Sequence, residues 1–292
     1  MRDFEGKTAV VTGGASGIGF ALAERFAAAH MQVVLADIEK SALEHAVKKL
    51  QGRQARVIGI PVNTMLRESV QDLFEQAVAE FGNIHVLCNN AGVAATGDGG
   101  RAVWESAAED WDWVMGVNFW GVLYGLQSFV PHMCEHGESG HIVNTASLAG
   151  LLPGGGTYGV SKHAVLALSE GLHRDLKSRD AAIGASVLCP GFVATNIFDA
   201  ERNRPSELQR GAEAPNTEMM EAAKHMLSQG KAPSDVADRV FESIEKERFY
   251  ILPHPAWDDI VSDRVAHVVA RGEPMTIDFM GMLDRRAKGE QF

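Results

Sequence analysis

Thr8-Ala9-Val10-Val11-Thr12-Gly13-Gly14-Ala15-Ser16-Gly17-Ile18-Gly19 joins a short apolar and β-branched run to a turn rich in glycine. The run reads as a strand, and the pattern after it, with Leu22 and Phe26 on one face, reads as a helix from Ile18 to His30. Glycines at such a strand-helix junction let the turn tighten and let the backbone approach a pyrophosphate, whose charge the helix N-terminus favours. The next apolar run, Gln32 to Ala36, is followed by Asp37, about 20 residues beyond the turn, where an acid can accept from both adenosine ribose hydroxyls. A 2′-phosphate at that position would meet the carboxylate; like charges ~4 Å apart cost up to ~4 kcal/mol at an effective dielectric of 20. Ser16 and Ile38 offer no compensating base, so the expected cofactor is NAD rather than NADP. The competing reading has Asp37 capping the next helix while Lys40 neutralises a phosphate.

Outward from this unit the alternation continues. Helices are expected at about Ser41–Leu50, Arg67–Phe81, Trp111–Val130 and Tyr158–Lys177. Strands are expected at Arg56–Ile60, Ile84–Cys88, Gly140–Asn144 and Ala185–Cys189. Strands that are apolar throughout, separated by helices, imply a parallel sheet covered on both faces. The expected fold is therefore α/β, a doubly wound parallel sheet of Rossmann type in a single domain, with ligand outside the carboxyl ends of the strands. That domain is read as residues 1–255, including a substrate loop at about 192–231, followed by a C-terminal extension, 256–292. Beyond Pro190, a helix from Ser234 (as N-cap) to Glu247 and a last strand at Phe249–Leu252 are expected, with one further helix and a loosely specified tail after Ala256.

Composition sets the outer limits. With 27 basic against 38 acidic residues the net charge is −11, which carries no electrostatic footprint for nucleic acid or an anionic membrane surface. Apolar runs fall short of the ~18–20 residues a membrane helix requires, and the first residues, Met1 to Lys7, do not read as a signal peptide. Three cysteines, two of them (Cys88 and Cys189) inside apolar runs, suit a reduced, cytoplasmic protein.

A second cluster is Tyr158-Gly159-Val160-Ser161-Lys162. Residues i and i+4 share a helix face, so the Tyr158 hydroxyl and Lys162 ammonium can enter one cleft. A nearby cation favours phenolate, as a general base near neutral pH requires. Ser147, at the end of the Gly140–Asn144 strand, can hydrogen-bond the same substrate oxygen.

Together these residues resemble the short-chain dehydrogenase/reductase family, over the chain to about Leu252. The resemblance rests on Thr12-Gly13, Gly17-Ile18-Gly19, Asn89-Asn90-Ala91-Gly92, Asn118, Ser147, Tyr158, Lys162 and Pro190-Gly191 leading to Thr195. It implies Tyr158 as general acid/base, Ser147 as the residue positioning the substrate oxygen, and Lys162 holding the nicotinamide ribose and depressing the Tyr pKa. Asn118 would anchor a water that continues the proton relay; otherwise it is a helix-interior Asn bonded to its own backbone. The family pattern also places Gly13, Ser16, Gly17, Ile18, Gly19, Asp37, Ile38, Asn90, Ala91 and Gly92 on the dinucleotide, with Pro190, Gly191, Val193 and Thr195 toward its nicotinamide. Where the family has Asp-Val beside the adenine this chain has Asn63-Thr64; a carbonyl of Asn63 can still accept from the adenine amine. Tyr250 to Pro255, Trp257, Asn203-Arg204-Pro205 and the extension are further similar to a long-tailed subgroup that includes aryl-ether Cα-alcohol dehydrogenases.

The reading that follows is an NAD-dependent oxidoreductase acting on a secondary alcohol or its ketone, with a bulky, lipophilic or aromatic substrate. Its competitors are a 3-oxoacyl-thioester reductase, for which Arg202, Arg204 and Arg210 could hold an acidic carrier, and a catalytically silent dinucleotide sensor. Met219, Met220, Met226 and Leu227 are either packing residues or soft walls for a lipophilic substrate. His132, Cys134 and His136 read as a surface helix end rather than a metal site. Phe119, Trp120, Val122 and Leu126, with the Tyr158–Leu172 helix, offer apolar area from which a symmetric homodimer or homotetramer is expected.

Overall fold

Strand β1 (Thr8–Thr12) is completely buried and is the third strand of a seven-stranded sheet. The computed structural model describes residues 1–95, 102–154, 156–209, 221, 224–225 and 227–276. Its other strands are β2 (Gln32–Asp37), β3 (Val57–Pro61), β4 (Val86–Asn89), β5 (Gly140–Thr145), β6 (Ile183–Leu188) and β7 (Tyr250–Ile251). All pairings are parallel, in the order β3-β2-β1-β4-β5-β6-β7. The order reverses between β1 and β4, which opens a crevice at their carboxyl ends. The expected doubly wound sheet is thus the fold of this chain.

Helices cover both faces, which is why the central strands carry no polar alternation. On one face α1 (Gly17–Ala28), α2 (Lys40–Gln51) and α7 (Pro233–Glu245) bury Leu22, Phe26, Leu43 and Val240 against Val11, Val33 and Leu35. On the other, α3 (Arg67–Phe81), α5 (Gly121–His136) and α6 (Gly156–Ser178) bury Leu73, Phe129 and Leu176 against Val10, Val34 and Ile142. A short α4 (Ala108–Met115) precedes α5, and α8 (Asp258–Val269) follows Trp257.

Three expectations change. The helix expected through Trp111–Val130 is α4 and α5 joined by a π turn, Gly116–Trp120, and it runs on past Pro131. Burial of Phe129 and Met133 in the core outweighs the hydrogen bond the proline removes. The start of α7 is set by Pro233 at its first turn, with Ala232, not Ser234, at the N-cap. Val122 and Leu126 are buried in this chain's own core, which leaves Trp120 (44% exposed) and Val160 (40% exposed) as the apolar surface of that region. Among the described residues no helix is long and apolar enough to cross a membrane, and no three His, Cys, Asp or Glu side chains are arranged to hold a metal. His132 and His136 instead bond the main chain of Ile84. Cys88 and Cys189 are buried free thiols.

Inside β5, His141 is 2% exposed. Ser186 Oγ donates to Arg248 O, so the imidazole Nε2–H donates to Ser186 Oγ at 2.7 Å and Nδ1 is left bare and buried. Burial pushes its pKa down to about 3. The unfolded chain, with His near ~6.5, therefore takes up this proton first, and stability falls as pH drops from about 6.5 toward 3. The expected contribution is about 1.4 kcal/mol per pH unit over that window. His141→Gln should flatten the pH dependence of the denaturant midpoint by that amount; parallel slopes for the two proteins would refute the assignment.

Candidate active site

The turn after β1 is built around two close approaches. Gly13 has φ +63°, and a Cβ there would lie 2.9 Å from Ala91 Cα. A Cβ on Gly19 would lie 2.0 Å from Gly13 O, so only glycine lets α1 start this near the turn. Thr12 fastens the turn to the segment after β4: its Oγ accepts from Asn90 N–H (3.0 Å) and Ala91 N–H (3.1 Å). Asn90 Nδ2 returns the contact by donating to Thr12 O at 3.1 Å.

Asp37 closes the same corner. One carboxylate oxygen accepts from Ala15 N–H at 3.0 Å and the other from Glu39 N–H at 3.1 Å. Burial raises its pKa, against the lowering effect of those two main-chain donors. A carboxylate has about four acceptor positions, so even with a further main-chain contact from Ile38, Asp37 keeps acceptor capacity facing the cavity. Asn63, where the family resemblance expects the adenine, has its side-chain carbonyl on Met65 N–H (3.1 Å) and its main-chain carbonyl on Leu66 N–H (3.1 Å), each with a second lone pair left.

Ser147 stands just beyond β5. Its Oγ accepts from Ala149 N–H at 3.1 Å, donates to Pro190 O at 3.3 Å, and is hydrogen-bonded to the Tyr158 phenol. Burial pushes the Tyr158 pKa up from its ordinary 10.0, and the Ser147 contact pulls it back. Lys162, four residues on and 2% exposed, donates to Thr145 O at 3.0 Å, with Nζ 5.6 Å from the centre of the Tyr158 ring. Burial lowers its pKa to about 8. Asn118 sits in the π turn, a distortion often found at functional sites. Its side chain bonds both main-chain groups of Val93 (2.8 and 3.0 Å) and Ser161 Oγ (3.0 Å), not its own helix.

These groups surround one cavity of about 650 Å³ at the carboxyl ends of the strands. Gly13, Ser16, Gly17, Ile18, Asp37, Ile38, Asn63, Thr64, Asn90, Ala91, Gly92, Ser147, Tyr158, Lys162, Pro190, Gly191, Val193 and Thr195 all line it. Gly19 and Asn118 stand behind the wall. One end is polar and glycine-lined, a cradle that a Cβ at Gly13 would fill, and it suits a dinucleotide. The other end is apolar, formed by Leu148, Leu152, Phe192, Leu227 and Trp257. The ends of the 192–231 segment are pinned together by the parallel bridge between Val193 and Lys231. Arg210, Met219, Met220, Met226 and residues 277–292 lie outside the described residues.

Two contributions were not legible beforehand. His254 accepts from Gly191 N–H on Nδ1 (3.1 Å) and donates from Nε2 to Phe192 O (3.0 Å), clamping the segment that follows β6. The Tyr250–Pro255 motif signalled something unusual, but not this contact. Arg202 reaches the corner beside Asp37 and pairs with Glu39, so that corner holds a base after all.

Residues 7–206 match the family model described as short chain dehydrogenase. A CLA biosynthesis dehydrogenase/reductase of Lactiplantibacillus plantarum is 34% identical, over 94% of this chain and 97% of the relative. A C alpha-dehydrogenase of a Sphingobium species is 32% identical over 98% of this chain and 92% of its own length, in keeping with the subgroup likeness read from the sequence. Among solved structures, a short chain dehydrogenase/reductase of Burkholderia phymatum in complex with NAD superposes with a TM-score of 0.91. It is 42% identical and the match covers 95% of this chain and 99% of that one. Sequence, topology and site geometry agree: the chain belongs to the short-chain dehydrogenase/reductase family and is an oxidoreductase.

Proposed function

We propose that this protein is an NAD-dependent oxidoreductase that interconverts a bulky, lipophilic or aromatic secondary alcohol and its ketone. The observation that carries this reading is that Ser147, Tyr158 and Lys162 line one cavity together with the glycine turn and Asp37 and with the apolar Leu148, Leu152, Phe192 and Trp257. NAD supplies the acceptor for the carbinol hydride. Tyr158, as phenolate, takes the alcohol proton, and Ser147 holds the substrate oxygen in line with the hydroxyl hydrogen it otherwise lends to Pro190 O over a long bond. Lys162 has one acceptor, Thr145 O, among the described residues, and its other N–H groups serve the ribose hydroxyls and the phenolate. Both side-chain N–H groups of Asn118 are spent on Val93 and Ser161, so its part in a proton relay falls to an acceptor lone pair.

The thioester-reductase alternative rests on three arginines, and the two that are described, Arg202 and Arg204, are employed otherwise by the fold. Arg204 is buried on Asp110 (2.7 Å) and Glu201 (2.6 Å), and Arg202 is held by Glu39. The decisive experiment follows reduced-nicotinamide absorbance while the protein turns over a panel of aliphatic, benzylic and polycyclic secondary alcohols with NAD or NADP. Activity is expected on bulky alcohols, with NAD preferred by about two to three orders of magnitude in kcat/KM, the repulsion at Asp37 setting the ceiling. NAD binding without turnover of any alcohol or ketone would favour the sensor, and equal use of both cofactors would overturn the role of Asp37.

A further inference from the structure

Arg202 lies on the 3-10 turn Ile197–Asn203, far along the chain from the β2 end, yet its guanidinium stands in the adenosine corner. Its Nε donates to Glu39 Oε2 at 3.2 Å and its Nη2 to Glu39 Oε1, while Asn203 Nδ2 reaches Oε1 at 2.9 Å. Nη1 is used on Asp199 O at 2.6 Å. The turn is held in place by its neighbour Arg204, 2% exposed at its side chain, which pairs with Asp110 and lies 4.1 Å over the Trp113 ring. The turn that carries Arg202, and the bond from its Nη1 to Asp199 O, are therefore anchored by contacts that do not involve Glu39. Glu39 and Asp37 share one tight turn, and both line the cavity with Arg202 and Asn203. The hydrogen bond from Arg202 holds the Glu39 carboxyl below its usual range, so Glu39 faces the guanidinium as a carboxylate at neutral pH.

We propose that Glu39 is a second determinant of cofactor specificity: by engaging Arg202 bidentately it withholds from a 2′-phosphate the guanidinium built into this corner. The proposal rests on the reading of the cavity's polar end as the adenosine site. A guanidinium is the group best suited to a phosphate, through two parallel N–H···O bonds, and this one already uses that fork on a carboxylate. Both partners are partly exposed, with side chains 41% and 29% accessible, so the pair is of the weak kind that one substitution can undo. Asp37 alone explains repulsion of the 2′-phosphate; Glu39 explains why a nearby arginine does not cancel it.

The test is a calorimetric titration of NAD and NADP into wild type, Asp37→Ala, Asp37→Ala/Glu39→Gln and Asp37→Ala/Glu39→Gln/Arg202→Gln. Releasing Arg202 in the double variant should tighten NADP about tenfold relative to Asp37→Ala, on the scale of one charge-assisted pair. The triple variant should lose that gain, while NAD affinity changes much less across the series. A gain that survives Arg202→Gln would mean simple relief of charge repulsion and would overturn the proposal, as would no gain at all. Glu39→Ala frees Arg202 equally and replaces Glu39→Gln should the latter fail to fold. Failure of the underlying reading is seen separately, as a wild-type protein that binds neither dinucleotide.

Discussion

Replacing Tyr158 by Phe is expected to lower kcat by ~10²–10⁴ while NAD affinity stays within about twofold. The substitution removes one oxygen, and that oxygen is the group hydrogen-bonded to Ser147 in the wall of the cavity. The ring itself remains, so packing at the start of α6 is retained and thermal stability should change little. Ser147→Ala should also lower kcat, by less, because the proton-transferring group survives it. Titration of NAD by fluorescence, with turnover of an alcohol from the panel, separates the two effects. A folded Tyr158→Phe protein with the wild-type rate would remove Tyr158 from the mechanism. A protein that loses stability but not rate would make Tyr158 a packing residue.

What could be read from the chain beforehand follows from how local each signal is. The strand runs are mostly apolar because both faces of the sheet are covered, and the glycine turn announces itself because a Cβ there would collide with main chain. Arg67–Phe81 was expected as a helix and is one, its apolar spacing and bounding loops lying close along the sequence. The missed features depend on distant partners. The pairing of Arg202 with Glu39 spans 163 residues and the contact of His254 with Gly191 spans 63, and no periodicity encodes either. The π turn at Asn118 leaves no mark in the sequence, because one extra residue in a helical run leaves its composition unchanged. Val122 and Leu126 were assigned to a subunit contact because their apolar character does not say which surface covers them; here it is their own core.

Lys162→Met should reduce oxidative kcat/KM by about 10³ and move the acid side of the pH profile upward. Methionine keeps the buried aliphatic stem, so only the ammonium is lost. At 5.6 Å from the Tyr158 ring centre that charge favours a phenolate by about 3 kcal/mol at an effective dielectric of 20, or about two orders of magnitude. Loss of charge-assisted bonds to the ribose adds on the order of another tenfold, seen as weaker NAD binding. The pH dependence discriminates further. Burial alone sends the Tyr158 pKa above 10.0 and brings that of Lys162 down to about 8, so the buried pair gives up its first proton near the lysine's value. Sharing one proton between an ammonium and a phenolate makes that first ionisation a property of the pair, and it is the singly protonated pair that accepts the alcohol proton. Wild-type oxidation should therefore climb through about pH 8, whereas Lys162→Met, with the phenol left alone in its buried setting, should climb only beyond 10. An unchanged acid limb in a folded Lys162→Met protein would show that Lys162 does not act on Tyr158, and its role would shrink to holding the ribose.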